Sequence, residues 1–310
     1  MELVFLGTGA SVPTESRNSS SLALIREGEI LLFDCGEGTQ RQMIRAHLGF
    51  RRKMKIFITH MHGDHILGLL GLIQTMSLFG RESELQVYGP PSLSPFLLST
   101  LAYMRVRPRF PVKVEEVSPG IVLEDNKYVM KVARADHFGE SFSFGLLEKE
   151  RPGKFDAEKA RMIGIPEGPI RSLIQQGETA TLEDGTAVSP REILGPPRPG
   201  RKIVYSGDTR PCEEIAKLAK GADLLIHEAT FDDTLSEEAA ETGHSTATQA
   251  AEIARKAGVR RLILTHISAR YQDSKILRSQ AEATFPYVEV AEDLQRLKIS
   301  LRRSSEAFQT

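Results

Sequence analysis

Five short apolar runs end in a residue able to bind a metal: IFIT before His60, VARAD before His137, IVYSG before Asp208, LLI before His227 and LILT before His266. Runs of this length and composition read as β-strands. A chain with such strand ends is constrained towards a layered α/β fold, which gathers them along one edge where loops assemble a site. The densest end, ITHMHGDH, places His60, His62, Asp64 and His65 within positions 60 to 65. His60 and His62 alternate around Met61, so both can face one ion. Asp64 and His65 leave the turn together and can serve a second. Neutral imidazole and carboxylate suit zinc, and catalytic zinc keeps one position open for water. Two ions about 3.5–4 Å apart lower the pKa of bound water to about 7, so they can hold a bridging hydroxide and clamp a phosphate. One strand-end histidine is more often a structural hydrogen-bonding group; four metal-capable side chains on one turn point to metal. Spacing alone leaves Asp136 and His137 competing for one place.

The order of patterns along the chain supports a layered fold. ELVFLGTG, SLALIR, EILLFDCG and KIFITH read as strands, with a helix over EGTQRQMIRAHL before the last of them. ILGLLGLIQTMSLF has helical length and no charge, so a buried helix is expected. LQVYGP and PSLSPFLLSTLAYM repeat the strand–helix order, and VKVEEV, IVLED, YVMKVARADH and SFSFGLLE read as further strands. Residues 149–200 are rich in Gly, Pro and charge, which predicts an inserted arm with one short helix around FDAEKARMI, outside the main core. KIVYSGDT, DLLIHEAT and RLILTHIS resume strand texture. PCEEIAKLAKGA, STATQAAEIARKAG and SKILRSQAEATF are expected helices, and a basic tail closes the chain.

Charge restricts the partners. Forty basic and 41 acidic residues give a formal charge of −1, so no bulk attraction to nucleic acid or membrane is expected, and any polyanion site must be local. Local clusters are present at Arg45 with Arg51, Arg52, Lys53 and Lys55, and at Arg105, Arg107, Arg109 and Lys113. The two cysteines, Cys35 and Cys212, far apart in sequence, argue against a disulfide framework and favour a reducing interior. MELVFLGTGA carries no basic leader ahead of a long apolar region, and ILGLLGLI is too short to span a bilayer. The expected setting is the cytoplasm.

The THMHGDH segment at 59–65 resembles the H-x-H-x-D-H signature of the metallo-β-lactamase superfamily. More narrowly, PTESRN at 13–18, FDCGEGTQRQ at 33–42, SGDTRP at 206–211, HEATF at 227–231, GHSTA at 243–247 and THISARY at 265–271 resemble the ribonuclease Z family of tRNA 3′-processing endonucleases. The likeness runs in order through nearly the whole chain, including GKFD and GIPEGP of the arm. It implies a single α/β domain over 1–310, an αββα four-layer sandwich, with 149–200 as an inserted flexible arm. It also implies two zinc ions per subunit: one on His60, His62 and His137, the other on Asp64, His65 and His266, with Asp208 bridging.

The implied reaction is zinc-dependent cleavage of the 3′ trailer from precursor tRNA, leaving a 3′-hydroxyl on the tRNA and a 5′-phosphate on the trailer. Asp64 would orient or deprotonate water. His244, paired with Glu228, would protonate the departing oxygen, since a neighbouring carboxylate favours imidazolium. Arg17 and Asn18 match a loop that lies near the RNA 3′ end in similar enzymes, and Glu15 stands where many relatives carry lysine. Arg270 could meet a substrate phosphate, and Asp34 could support a ligand from behind. His227 reads equally as a structural histidine or as a part of the chemistry, and His47 as structural. The arm, with Lys154, Lys159, Arg161 and Arg171, resembles one that grips the tRNA elbow from the partner subunit of a homodimer. A thioesterase or lactonase with the same metal pair would need no such arm. An RNA-binding protein with a structural metal would need no such complete ligand set.

Overall fold

In the computed structural model, which describes residues 1–301, the strands form two seven-stranded sheets. The first runs, in spatial order, Arg296–Lys298, Glu2–Gly7, Ser21–Arg26, Glu29–Phe33, Met54–Phe57, Leu85–Gly89 and Val112–Glu116. The second runs Val288–Val290, Leu262–Thr265, Leu224–Glu228, Lys202–Tyr205, Phe142–Glu148, Tyr128–Arg134 and Gly120–Glu124. Near its start the first sheet is antiparallel, Glu2 facing Ile25 and Leu22 facing Phe33. Strands Glu29–Phe33, Met54–Phe57, Leu85–Gly89 and Val112–Glu116 are then parallel. In the second sheet Lys202–Tyr205, Leu224–Glu228, Leu262–Thr265 and Val288–Val290 are parallel. Parallel strands are covered on both faces, which is why EILLF, LLIHE and LILT are buried at every position.

The two faces of each sheet have different partners. Ile30, Leu32, Ile56 and Ile58 pack against Met43, Leu69, Leu72, Ile73 and Leu97 from the helices Thr39–Arg45, Gly68–Leu78 and Leu93–Tyr103. The alternate residues Phe33 and Phe57 face the other sheet, where Phe57 lies 5.4 Å from Phe144 and Phe33 lies 5.9 Å from Tyr205, centroid to centroid. On the far side of the second sheet, Val204, Leu225 and Leu264 pack under the helices Glu213–Ala219, Ala247–Ala257 and Lys275–Thr284. The layers are therefore helix, sheet, sheet, helix. The helix Ala247–Ala257 approaches its sheet through Ala247, Ala250, Ala251, Ala254 and Ala257. It starts on Thr246, whose N–H donates to Gln249 Oε1 at 2.9 Å, and stops at Gly258 with φ +61°.

The long apolar helix expected from ILGLLGLI starts earlier than its hydrophobic run. A first turn, Gly63–Ile66, forms inside the histidine motif, and Gly68–Leu78 follows. Both cysteines are free thiols, and burial pushes the Cys35 thiol up to about 12. Among the described residues no helix is long and apolar enough to cross a membrane. The basic tail expected at the end of the chain lies outside the described residues.

Contacts divide the chain into two compact units. One comprises 1–124, 129–146 and 202–300; the other contains 125–128 and 147–201. The second unit is more structured than its sequence suggests. In place of one short helix it has three, Ala157–Met162, Pro169–Gln175 and Pro190–Ile193, and a two-stranded hairpin, Ala180–Thr181 with Ala187–Val188. Ala160, Ile165, Ile174, Ala180, Val188 and Ile193 form its own buried nucleus. Each short element contributes only one or two of these residues, so no apolar period appears in the sequence. Local signals carry more of the order: Asp156 caps its helix by accepting from the Glu158 and Lys159 N–H groups at 3.1 and 2.9 Å.

Candidate metal centre

The motif turn follows the strand Met54–Phe57 and is cradled by the end of the neighbouring strand. Cys35 N–H donates to His65 O at 2.7 Å, and Gly68 N–H donates to Cys35 O at 2.9 Å. The approach is so close that a Cβ on Gly68 would stand 2.0 Å from Gly36 O. Asp34, fully buried and at φ +55°, fills the space behind the turn. Its Oδ1 accepts from Thr59 N–H at 2.8 Å and from the Thr59 hydroxyl at 3.0 Å. Its Oδ2 accepts from His65 Nδ1–H at 2.8 Å and from the Tyr205 hydroxyl at 2.9 Å.

Hydrogen bonds of this kind fix which nitrogen of each imidazole is free. His65 gives Nδ1–H to Asp34, and His137 gives Nδ1–H to Gly243 O at 2.7 Å. Thr59 donates its hydroxyl proton to Asp34, so it accepts from His60 Nδ1–H at 3.0 Å. Thr230 donates to Glu228 Oε2 at 2.9 Å, so it accepts from His266 Nδ1–H at 2.8 Å. In all four rings Nε2 is left facing the cluster and available to a metal, the arrangement seen in metal-binding histidines. Gly243 has to be glycine on two counts: its φ is +80°, and a Cβ would stand 2.6 Å from His137 Nδ1.

The freed atoms converge. His60, His62, His137 and Asp208 form one group, and Asp64, His65 and His266 another; within each group the ligand atoms lie within 4.8 Å of one another. His137 Nε2 is 3.2 Å from His62 Nδ1, and His65 Nε2 is 3.3 Å from His266 Nε2. Asp208 Oδ2 reaches both groups, at 3.2 Å from His65 Nε2, 3.3 Å from His266 Nε2 and 3.6 Å from His60 Nε2. Asp64 is steadied by Ser11 N–H on Oδ2 at 2.8 Å. That bond leaves from the end of Gly9–Ala10, which pairs with Ile267–Ser268 directly after His266, itself at φ +56°.

Two atoms in this cluster, His60 Nε2 and Asp208 Oδ1, are buried without a hydrogen-bond partner. Such an atom costs roughly 1–3 kcal/mol, and a cation removes the cost. The donor set therefore fits divalent metal. Burial and the surrounding imidazoles push His60 well below the usual histidine range, keeping it neutral as a ligand. Burial would raise Asp208, but His266, His65 and His60 outweigh it and hold the carboxyl well below its ordinary range.

Beside the cluster, Glu228 is fully buried and its carboxylate is saturated. Oε1 accepts from Thr209 N–H at 3.0 Å and from His244 Nδ1–H at 2.9 Å, while Oε2 accepts from the Thr230 N–H and hydroxyl at 3.0 and 2.9 Å. Burial alone would lower the pKa of His244. The charge and hydrogen bond of Glu228 outweigh it and hold the imidazole up at about 9. His244 is half-buried and its ring stacks 5.3 Å from His266. His227 faces away: Nδ1–H donates to Glu228 O at 2.7 Å, and Nε2 has no partner. Asp136 pairs with Arg210 at 3.2 Å and takes no part in the cluster, whereas His137 does.

The cationic residues singled out in the sequence are spread more widely. Arg17 donates to Thr8 Oγ1 at 2.6 Å and to Ala291 O at 2.7 Å. Arg270 is exposed but binds Glu238 through both terminal nitrogens, at 3.1 and 2.7 Å, over the Phe231 ring. Within the arm unit, Arg171 donates to Ile165 O, Pro166 O and Glu167, while Lys154, Lys159 and Arg161 are exposed. Lys55 does not belong to a surface cluster: it is buried and paired with Glu29. Arg51, Arg52 and Lys53 beside it are exposed. Sequence reasoning overlooked Thr59, Tyr205, Thr230 and Gly243. Thr59 opens THMHGDH, Thr230 lies inside HEATF and Gly243 inside GHSTA, so the motifs contained the signal; nothing local marks Tyr205.

Imidazoles and carboxylates so arranged at strand ends of an αββα sandwich define a metal-dependent hydrolase of the metallo-β-lactamase class. A family model described as Beta-lactamase superfamily domain matches residues 191–267, and one described as Anti-Pycsar protein Apyc1 matches residues 1–151. Ribonuclease Z of Methanosarcina acetivorans is 46% identical over 305 residues, covering 97% of this chain and 99% of the relative. That of Myxococcus xanthus is 45% identical over 304 residues, with 97% and 99% covered. The solved structure of human tRNase Z, short form, matches with a TM-score of 0.72 and 32% identity over 97% of this chain and 100% of that one. The metallo-beta-lactamase fold protein YhfI of Bacillus subtilis has a TM-score of 0.68 at 17% identity, over 96% and 98%, a likeness of fold alone. The chain belongs to the ribonuclease Z family of endoribonucleases.

The hydroxyl of Thr230 joins the ligand ring of His266 to Glu228, so Thr230→Val, which keeps the shape, releases that ring. Metal affinity is expected to fall about 10–100-fold, as for loss of a ligand's supporting partner, in competition against a chromophoric chelator. An affinity within twofold of the parent would contradict the assigned tautomer.

Proposed function

We propose that this enzyme removes the 3′ trailer from precursor tRNA, leaving a 3′-hydroxyl on the tRNA and a 5′-phosphate on the trailer. The observation that carries this reading is the position of Asp208 Oδ2 between two imidazole groups, with the Glu228–His244 pair beside them. His60, His62 and His137 would hold one zinc ion, Asp64, His65 and His266 a second, and Asp208 both. When bound, such a pair supplies a hydroxide nucleophile near neutral pH and neutralises charge on the phosphate. Asp64, held by Ser11 N–H, orients the attacking water and can accept its proton. As the water oxygen bonds to phosphorus, the bond from phosphorus to the 3′ oxygen breaks. His244, an imidazolium with Nδ1–H on Glu228, gives the proton on Nε2 to that oxygen.

Relatives named ribonuclease Z and tRNase Z support tRNA as the substrate. The arm unit serves in this reading as the exosite for the body of the tRNA, within a cytoplasmic homodimer. Its exposed Lys154 and Lys159 border a cavity of about 630 Å³ whose lining mixes Arg191 and Phe155 with the acidic Asp156, Glu158 and Glu192. Arg17 and Arg270 would meet the RNA backbone near the cut once their internal partners are exchanged for phosphate.

Two measurements test the reading. His244→Ala is expected to slow trailer release by about 10²–10⁴-fold, the range for a general acid, with metal content unchanged. Cleavage of a phosphodiester with a nitrophenolate leaving group, which needs no proton, should change little; equal losses on both would exclude the acid role. Excising 152–194 is feasible because Arg151 and Arg198 are already joined by two backbone hydrogen bonds of 2.9 Å. The excised enzyme should lose most of its kcat/KM on precursor tRNA and keep that on the nitrophenyl ester. A parallel loss would remove the exosite role.

A further inference from the structure

The loop between strands Tyr128–Arg134 and Phe142–Glu148 turns two adjacent rings in opposite directions. His137 points into the metal centre, whereas Phe138 is 53% exposed. The loop is closed by Ala135 N–H donating to Ser141 O at 2.9 Å and by the Ser141 hydroxyl donating to Phe138 O at 3.2 Å. The Arg210 guanidinium lies over one face of the Phe138 ring, 5.3 Å from its centroid. Arg210 is itself fixed, with Nε–H on Ala240 O at 2.6 Å and its NH1 group on Asp136 Oδ1 at 3.2 Å. One ring edge packs at Gly243, where an added Cβ would stand 3.3 Å from Phe138 Cε2. The ring centroid is 5.5 Å from that of His137.

The result is an aromatic ring with one face and one edge fixed by residues adjacent to the site and with more than half of its surface bare. A flat π-surface backed by a cation, beside a centre for phosphodiester cleavage, suits a nucleobase, since bases stack on aromatic side chains whatever their identity. Location selects which base. Phe138 packs on Gly243, the residue before His244, and His244 protonates the departing 3′ oxygen. That oxygen belongs to the nucleotide on the 5′ side of the cut. We propose that Phe138 is the stacking platform for the base of the last nucleotide retained on the RNA, with Arg210 holding the ring from behind. The assignment rests on the RNA-cleaving reading above and extends it to a specific nucleotide.

The test pairs a protein change with an RNA change. Precursor tRNA is prepared with a normal base or an abasic sugar at the last retained position, and kcat/KM is measured for the parent, Phe138→Ala and Phe138→Tyr. Phe138→Ala should cost roughly tenfold to hundredfold on the normal precursor, the usual range for one stacked base. On the abasic precursor it should cost less than twofold. Phe138→Tyr should restore the parent rate, and metal content should be equal in all three. A loss of the same size on both precursors, or none on the normal one, would overturn the platform while leaving the nuclease reading intact. A separate binding measurement uses 2-aminopurine at that position. Its fluorescence should be quenched by the parent and not by Phe138→Ala. Quenching without any cleavage would uphold the platform and refute the nuclease reading, whereas cleavage without quenching would do the reverse.

Discussion

The buried carboxylate of Asp34 accepts hydrogen bonds from Thr59, His65 and Tyr205, and with them brings both sheets to one point. Thr59 and His65 follow a strand of the first sheet, and Tyr205 closes a strand of the second. Through Thr59 the same carboxylate also orients His60. Two imidazoles of the candidate metal cluster are thus aimed from behind by one carboxylate, each with its Nδ1–H committed and its Nε2 facing the cluster. On the opposite wall Thr230 and Glu228 do the equivalent work for His266 and His244. These supports lie away from solvent, so the hydrogen bonds are strong and each ring has one orientation.

Such precision carries a local conformational cost. Asp34 and His266 both occupy left-handed backbone conformations, which non-glycine residues rarely adopt. Both sit directly after a strand, where the chain has to turn sharply to present its side chain along the sheet edge. Burial in two apolar layers supplies the surplus that holds them there. The cluster also carries an unmet need, since His60 Nε2 and Asp208 Oδ1 are buried there without a hydrogen-bond partner. A divalent ion bound there would meet that need and add to the stability of the folded chain.

Much of this was legible in the sequence, for a physical reason. Strand ends marked by His60, His137, Asp208 and His266 meet along one edge once the strands pair, so the apolar runs and their polar termini carried a layered α/β fold and a candidate metal cluster, while the four-layer order and the division into two ion sites came from the family resemblance. The hydrogen-bond partners of the Thr59, Thr230 and Tyr205 hydroxyls were not legible, even where a motif contained the residue, because they are set by register between distant segments. Charge was the least informative feature. Lys55 is buried on Glu29, and Arg171 is engaged within its own unit, yet in the sequence both look like any solvated cation. The arm unit was underestimated because its nucleus draws on elements too short to show a period. Phe138 looks like an ordinary loop residue until Arg210 and Gly243 are seen to fix its ring.

The central claim is that Asp208 joins two cation sites built from imidazoles whose outer nitrogens are already committed. The most direct measurement is a crystal structure of the zinc-loaded protein with anomalous differences recorded at the zinc edge. The account predicts two peaks about 3.5–4 Å apart, with Asp208 bound to both and Nε2 of His60, His65, His137 and His266 as ligands. A single peak remote from Asp208, or ligation through Nδ1 of those four rings, would contradict it.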